Sequence, residues 1–438
     1  MLKGFTKQEK SWMMYDWANS AHVIVVVTIL PIFFKTVFGN NTSALTVWGF
    51  ATSGVKLAIA ILAPLLGALA DFKDMKKRLF TFFVSIGVLS CLALAGLPFS
   101  PQWQAILAVY VIGVLGFAGA NIFYDGFLPE ITTPERMDKV SLYGYGMGYI
   151  GGSTIPFVIF LVLSMLIKME WAMSISFALT GVWWGVFTIP MLKNVKQTHY
   201  VERKKGMIAE SFTRIFQTLK NIKQYKSLFL FLLAYFFYID GVGTIIYMST
   251  IYGGSLGIDD TQMMLALLMV QLLGFPFAIL YGKLAKRFGT RAMIGVGIII
   301  YFGICIMGFG ISETWHFWAL ALGVATSQGG IQALSRSLYG KMIPDKNRSN
   351  EFFGFFEIFG KFSAIIGPAL FGLVAKVASD IIIKKNPGMT EELLAKASTP
   401  YGVLSVLVVF IIGGALFYAS CRRSKMDERE RQAANASA

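Results

Sequence analysis

The stretch KNVKQTHYVERKKGMIAESFTRIFQTLKNIKQYK, residues 193–226, separates the chain into two halves, and its reading decides the fold. It carries nine Lys/Arg against two acids, Glu202 and Glu210. No run of ~20 apolar residues fits inside it, so it cannot cross a bilayer. Long apolar runs dominate the chain on either side. The stretch therefore reads as an extramembrane linker between two membrane-embedded halves. From about Glu210 onward apolar residues recur at helical spacing (Phe212, Ile215, Phe216, Leu219, Ile222), which places part of the linker on the bilayer surface. A passive tether is the plainer alternative.

Of the 438 residues, 55% are apolar and 14% charged, with a mean hydropathy of +0.63. A soluble chain of this size could not hide so much apolar surface, so lipid must solvate most of it. Outward from the linker lie twelve apolar segments of spanning length, at about 11–36, 44–70, 79–98, 103–127, 141–167, 171–192, 227–251, 261–283, 291–311, 314–340, 352–376 and 400–421. They are helix-length, not the alternating strands of a membrane barrel. This predicts an all-α integral membrane protein with twelve transmembrane helices.

The net charge of +15 would suggest nucleic acid in a soluble chain, but its placement excludes that reading. If the loops alternate sides, thirty Lys/Arg share the side of the linker and both termini, and five lie opposite (Lys168, Lys376, Lys384, Lys385, Lys396). That asymmetry puts both termini in the cytoplasm and presents a basic surface to anionic lipid. The expected organisation is a six-helix lobe at 1–192, a basic cytoplasmic linker at 193–226, a second six-helix lobe at 227–421 and a cytoplasmic tail at 422–438. MLKGFTKQEK leads straight into an apolar helix with no small-residue cleavage site, so no removable signal peptide is expected. Asn40 and Asn41 begin sequons that matter only in a glycosylating host. Cys91, Cys305 and Cys421 are too dispersed for a disulfide framework or a metal site.

The halves repeat weakly. Gly67-Ala-Leu-Ala-Asp71 corresponds to Gly282-Lys-Leu-Ala-Lys286, and Leu128-Pro-Glu130 to Ile343-Pro-Asp345, both at an offset of 215 residues. Tyr15-Asp16 corresponds to Ile239-Asp240 at a slightly longer one. Matched six-helix halves are the layout of a two-lobed carrier with its site between the lobes.

Residues 67–79, GALADFKDMKKRL, resemble the loop motif of the major facilitator superfamily, and Lys286 stands where the second-half copy would have its acid. A finer resemblance, to the vacuole effluxer-like branch, is carried by WMMYDWANSAH, FYDGFLPEIT, VSLYGYGMGYIGG, YFFYIDGVGTI, QGGIQALSRSLYGKMIP and EFFGFFEIFGKFSAIIGP. The resemblance implies a carrier of the major facilitator fold, monomeric by default. Its fungal relatives are linked to amino-acid export from the vacuole. It also implies that Asp71, with Lys76, Lys77 and Arg78, braces helices on the cytoplasmic side.

No enzyme motif, Walker loop, zinc pattern or cofactor site is legible. An ionisable group at the centre of a span costs about 2.5–3.5 kcal/mol on insertion scales, so each such residue needs a partner, water or a job. Asp240, flanked by glycines midway along the seventh span, reads as a proton or amine site or as a structural hydrogen bond. Asp16, Asn19 and His22 form a polar stripe that lines a cavity or closes a gate. Lys56 reads as a carboxylate ligand or a compensating charge. Gln328, Gln332 and Arg336 recur every four residues and suit either a substrate carboxylate or a gate, with Tyr124 and Asp125 as partners for Arg336. Glu130 belongs to the repeated loop. Glu357 and Lys361 stand four apart in the order that favours an intrahelical pair, which could exchange partners during a transport cycle. The glycines of the fifth span allow close helix crossing.

These features point to a secondary transporter of a small polar metabolite, most simply an amino acid, in the cytoplasmic membrane. Alternating access and proton coupling follow from the two-lobed layout and the buried carboxylates. A broad-specificity drug or metabolite exporter is the alternative within transport. A membrane sensor lacks an output domain here, and a membrane enzyme lacks a His/Asp/Glu cluster.

Overall fold

The structure, a computed structural model, describes residues 3–24, 29–38, 42–203, 206–220, 222–311 and 313–437. Asn40 and Asn41 lie outside this set, as do the side chains of Leu219 and Ile222. In hydrocarbon each apolar run must close its own backbone ladder, and among the described residues these runs are helical.

Contacts group the described residues into two compact units, 1–216 with 343–358, and 217–342 with 359–438. The first unit contains α1 (Lys7–Ile24), α2 (Leu30–Phe38), α3 (Thr42–Ala70), α4 (Met75–Leu94), α5 (Trp103–Gly126), α6 (Leu128–Ile131), α7 (Pro134–Met147), α8 (Ile155–Leu166) and α9 (Met169–Asn194). It also holds most of α10 (Met207–Lys220) and the start of α15 (Ser349–Lys385). Its core is built on Trp12, Tyr15, Phe80, Phe123, Tyr124 and Trp184. A π-helical turn, Gly148–Thr154, joins α7 to α8 and packs against α1. The second unit contains α11 (Lys226–Ser255), α12 (Asp260–Phe288), α13 (Thr290–Phe309), α14 (Thr314–Met342), the remainder of α15 and α16 (Glu391–Ser437).

Ten helical stretches among the described residues are long and apolar enough to cross a membrane. The two expected spans outside that set are the ones with the most polar side chains. Of the first, α1 and α2 are described while residues 25–28 lie outside the described set, and α1 carries Asp16, Asn19 and His22. The tenth, α14, has the length, but Ser327, Gln328, Gln332, Ser335, Arg336 and Ser337 lower its hydropathy. Two helices overrun their expected spans, because helical geometry continues after the apolar residues end: α15 has 37 residues and α16 has 47.

Candidate functional site

The loop after α3 folds into a buried ionic clamp within the first unit. α3 ends at Ala70, and Asp71 follows with 1% exposure. The start of α15 lies against it. The first N–H groups of a helix have no intrahelical acceptor, and Asp71 provides one. Its Oδ1 accepts from the Asn350 N–H at 2.9 Å and from Asn350 Nδ2 at 3.0 Å, and its Oδ2 accepts from the Glu351 N–H at 3.0 Å. A carboxylate here also complements the positive end of the helix dipole. Gly67 permits the approach, since a Cβ on it would fall 2.2 Å from the Asn350 carbonyl oxygen.

Cations complete the clamp. Arg214, on α10, donates through Nη2 to Asp71 Oδ2 at 3.1 Å and to Glu351 Oε2 at 2.9 Å. Arg348 reaches the same Glu351 through Nε at 3.1 Å and Nη2 at 2.5 Å. Lys76 is fully buried; it pairs with Glu130 and donates to the Gly126 carbonyl at 3.2 Å and Ser349 Oγ at 3.3 Å. Burial pushes the Asp71 carboxyl up to about 6, against the opposing pull of Lys76, Arg214 and the hydrogen bonds from Asn350.

The beginning of the linker straps this loop. The Val201 N–H donates to the Asp71 carbonyl at 2.8 Å, the Lys73 N–H to the Val201 carbonyl at 3.0 Å, and the Thr198 N–H to Glu130 Oε2 at 2.6 Å. Thr198, Val201, Arg203 and Arg214 thus make the linker more than a passive tether.

Of the residues singled out in sequence, Asp71 and Glu130 belong to the clamp, while Arg78 is exposed on α4 and Lys76 takes the buried basic position. Arg214, Asn350 and Glu351 went unread. The available signal for Arg214 was that Ser211, Arg214 and Thr218 share the face of α10 opposite Phe212 and Phe216. A second tie was also missed, although Thr6-Lys-Gln-Glu9 has the capping-box pattern. Glu9 accepts from the Thr6 N–H at 2.8 Å, from Arg136 Nη2 at 2.6 Å and from Thr132 Oγ1 at 2.7 Å.

The structure distributes the α1 stripe among different neighbours inside the first unit. Asp16 is buried beside Gly144 of α7. Asn19 Nδ2 donates to Asn121 Oδ1 at 2.9 Å. His22 is buried, stacked on Phe117 at 5.0 Å and tilted against Trp184 at 5.3 Å. Tyr124 stacks on Trp12 at 4.3 Å and its carbonyl accepts from Trp12 Nε1 at 2.8 Å. Asp125 is buried at the end of α5, and Lys56 is half-buried on α3. Glu357 and Lys361 are half-buried one turn apart on α15.

In the second unit Asp240 is 1% exposed, where α11 meets α15. Its Oδ1 accepts from the Gly367 N–H at 2.8 Å. Gly367 is needed there: a Cβ would lie 1.8 Å from Thr244 Oγ1 and 2.8 Å from Asp240 Oδ1. One turn beyond Asp240, Thr244 lines a cavity of about 120 Å³. Its walls are mostly aliphatic and aromatic, with Gln271 and Gln328 as amides. On α14, Ser335 and Ser327 are engaged by Tyr238 at 2.6 Å and Tyr281 at 3.2 Å. Gln328 and Gln332 are half-buried on a neighbouring face, and Arg336 is buried. The arrangement offers an acid that can hold a proton and amides beside a small, largely apolar cavity.

A profile of the family described as "Vacuole effluxer Atg22 like" matches residues 41–383. The uncharacterized MFS-type transporter YxiO of Bacillus subtilis (strain 168) is 46% identical over 425 residues, covering 94% of each chain. Autophagy-related protein 22-1 of Neosartorya fischeri is 24% identical over 263 residues, covering 54% of this chain and 43% of that protein. Among solved structures, the major facilitator superfamily transporter FucP in the outward conformation aligns with a TM-score of 0.67 at 12% identity, covering 96% of this chain and 99% of that one. That likeness shows the fold alone, and the fold is the major facilitator one. With the family profile spanning both units and a relative similar over nearly its whole length, this multi-pass membrane protein belongs to the vacuole effluxer Atg22-like family of major-facilitator-type transporters.

Proposed function

We propose that the protein is a secondary active transporter that moves small zwitterions, amino acids above all, across the membrane by alternating access, driven by the proton gradient. In this reading two six-helix lobes, 1–192 and 227–421, rock about a central site in the cell membrane. The linker 193–226, the tail 422–438 and both termini face the cytoplasm, and the unit of function is the monomer. Asp240 carries the reading. It is a buried acid midway along an apolar helix, on a glycine-lined crossing and one turn from a cavity. A carboxylate in hydrocarbon is the simplest membrane proton carrier. Lys56, Gln328, Gln332 and Arg336 would meet a substrate carboxylate, and Asp16 or Asp240 an amine or the proton. The Asp71 clamp would hold the cytoplasmic side during part of the cycle.

The aliphatic walls of the cavity favour one second reading, a broader exporter of apolar metabolites. One experiment separates the two. Purified protein is placed in liposomes preloaded with amino acids, peptides, sugars and apolar amphiphiles, and the loss of each is followed by mass spectrometry with and without a pH gradient. Selective, gradient-dependent loss of amino acids supports the first reading. Loss of the amphiphiles alone supports the second. No loss of either by folded protein overturns both and leaves the family assignment standing.

A further inference from the structure

α10 has one face in the clamp and the opposite face bare. Ser211, Arg214 and Thr218 are buried at i, i+3 and i+7. Ile208, Phe212 and Phe216, at i, i+4 and i+8, are 61%, 57% and 68% exposed. Three large apolar side chains in a row on a short helix are costly to leave in water. The helix follows α9 by a short strap and is joined to α11 by residues 221–225, and both of those helices are apolar enough to span a membrane; connections this short keep α10 near a bilayer surface. Its surroundings are basic: Arg203, Lys220 and Lys226 are exposed, and Lys204, Lys205 and Lys223 complete the run in sequence.

We infer that α10 is an anionic-lipid-docking helix, and that seating Ile208, Phe212 and Phe216 in a negatively charged leaflet holds Arg214 between Asp71 and Glu351. Apolar side chains on one face with basic residues around them are what an interfacial helix presents to such a leaflet. The consequence follows from the clamp geometry. Arg214 is the group that bridges the two carboxylates, and its backbone is carried on the helix that the lipid holds. When α10 lifts, Asp71 and Glu351 face each other without that cation and the start of α15 loosens. Lipid composition therefore sets the lifetime of the clamp. The proposal rests on the clamp and not on the substrate assignment.

The test uses the full-length protein in vesicles of phosphatidylcholine alone and of equal parts phosphatidylcholine and phosphatidylglycerol. Hydrogen exchange is followed by mass spectrometry over the peptide containing Asn350 and Glu351, whose N–H groups bind Asp71. The expected result is exchange slowed by about tenfold or more in the anionic vesicles. Phe212→Ser/Phe216→Ser should remove the difference between the two vesicles. Both residues are exposed, so the change leaves the packed core alone. Lys220→Gln/Lys226→Gln, at exposed residues away from the strap, tests the charge component independently and should shrink the difference. Equal exchange of the wild-type protein in both vesicles would overturn the inference. So would a lipid effect that survives both double variants. Protection that follows protein concentration in lipid-free detergent would assign the face to a second copy of the chain and overturn it as well.

Discussion

Asp71 and Asp240 are both buried acids, one in each unit, and their surroundings differ. Asp71 stands just outside a span, at the start of another helix, and collects three N–H bonds and the Arg214 guanidinium. Asp240 stands inside a span and, among the described residues, its carboxylate takes one hydrogen bond, from a backbone N–H. The first arrangement suits a lock: several groups that belong to different helices depend on one carboxylate. The second suits a carrier of charge, because few partners are disturbed when the acid gains a proton and the Gly367 N–H can donate to either form. Position along the helix explains the contrast. Helix starts expose several orphan donors that gather acids, whereas a mid-helix backbone has few to spare, and Asp240 reaches the one at Gly367 where no Cβ stands in the way.

The comparison can be broken most severely at Arg214. Arg214→Ala should leave Asp71 and Glu351 buried without their shared cation and cost about 3–5 kcal/mol, as removal of one partner from a buried ion pair does. Thermal unfolding in detergent reads this, and Glu351→Gln added to Arg214→Ala should recover part of the loss. If the single change is silent, the clamp is not a lock.

Next in size is the α11–α15 crossing. Gly367→Ala places a methyl group 1.8 Å from Thr244 Oγ1 and should cost about 1–3 kcal/mol through overpacking. Thr244→Ala in the same chain should restore part of the stability, again by thermal unfolding. Asp240→Asn belongs lower on the stability scale, at about 1 kcal/mol or less, since the amide oxygen can still accept from Gly367. Its expected effect is on coupling: any transport that remains should no longer respond to a pH gradient in the liposome assay. A variant that unfolds, or one that keeps its gradient response, would erase the distinction between the two acids.

The smallest expected effect is on pH. The Asp71 carboxyl is raised to about 6 in the closed clamp and returns to the ordinary 3.8 when the clamp opens to water. A raised pKa means that the closed form binds the proton more tightly. The stabilisation is therefore fully present below about 3.8 and lost as pH rises through about 6. Exchange of the Asn350 and Glu351 amides, corrected for the intrinsic rate, should rise across that window and level off above it. Asp71→Asn should flatten the profile.

Much of the architecture was legible before any coordinates. The apolar runs and the repeated loops lead to an all-helical membrane protein of the major facilitator fold, because hydrocarbon leaves the backbone few options. The clamp was half legible. Asp71 and Glu130 stood out in repeated loops, yet Arg214 lay within a charged linker where one basic residue looks like the next. Arg78 looked as eligible as Lys76, since two residues apart on a helix they point to nearly opposite sides and only packing decides which side is buried.

What the sequence determined by itself was therefore whatever solvent dictates locally: which segments are helices, which of them meet lipid, and where charge cannot stay unpaired. The tertiary structure alone decided the pairings. It brought Asp71 to Asn350, 279 residues away, and Asp240 to Gly367, 127 residues away. Those choices depend on how closely two helices can approach. Gly67 and Gly367 allow contact distances that any Cβ would forbid, and a glycine shows that permission only when its neighbour is in place.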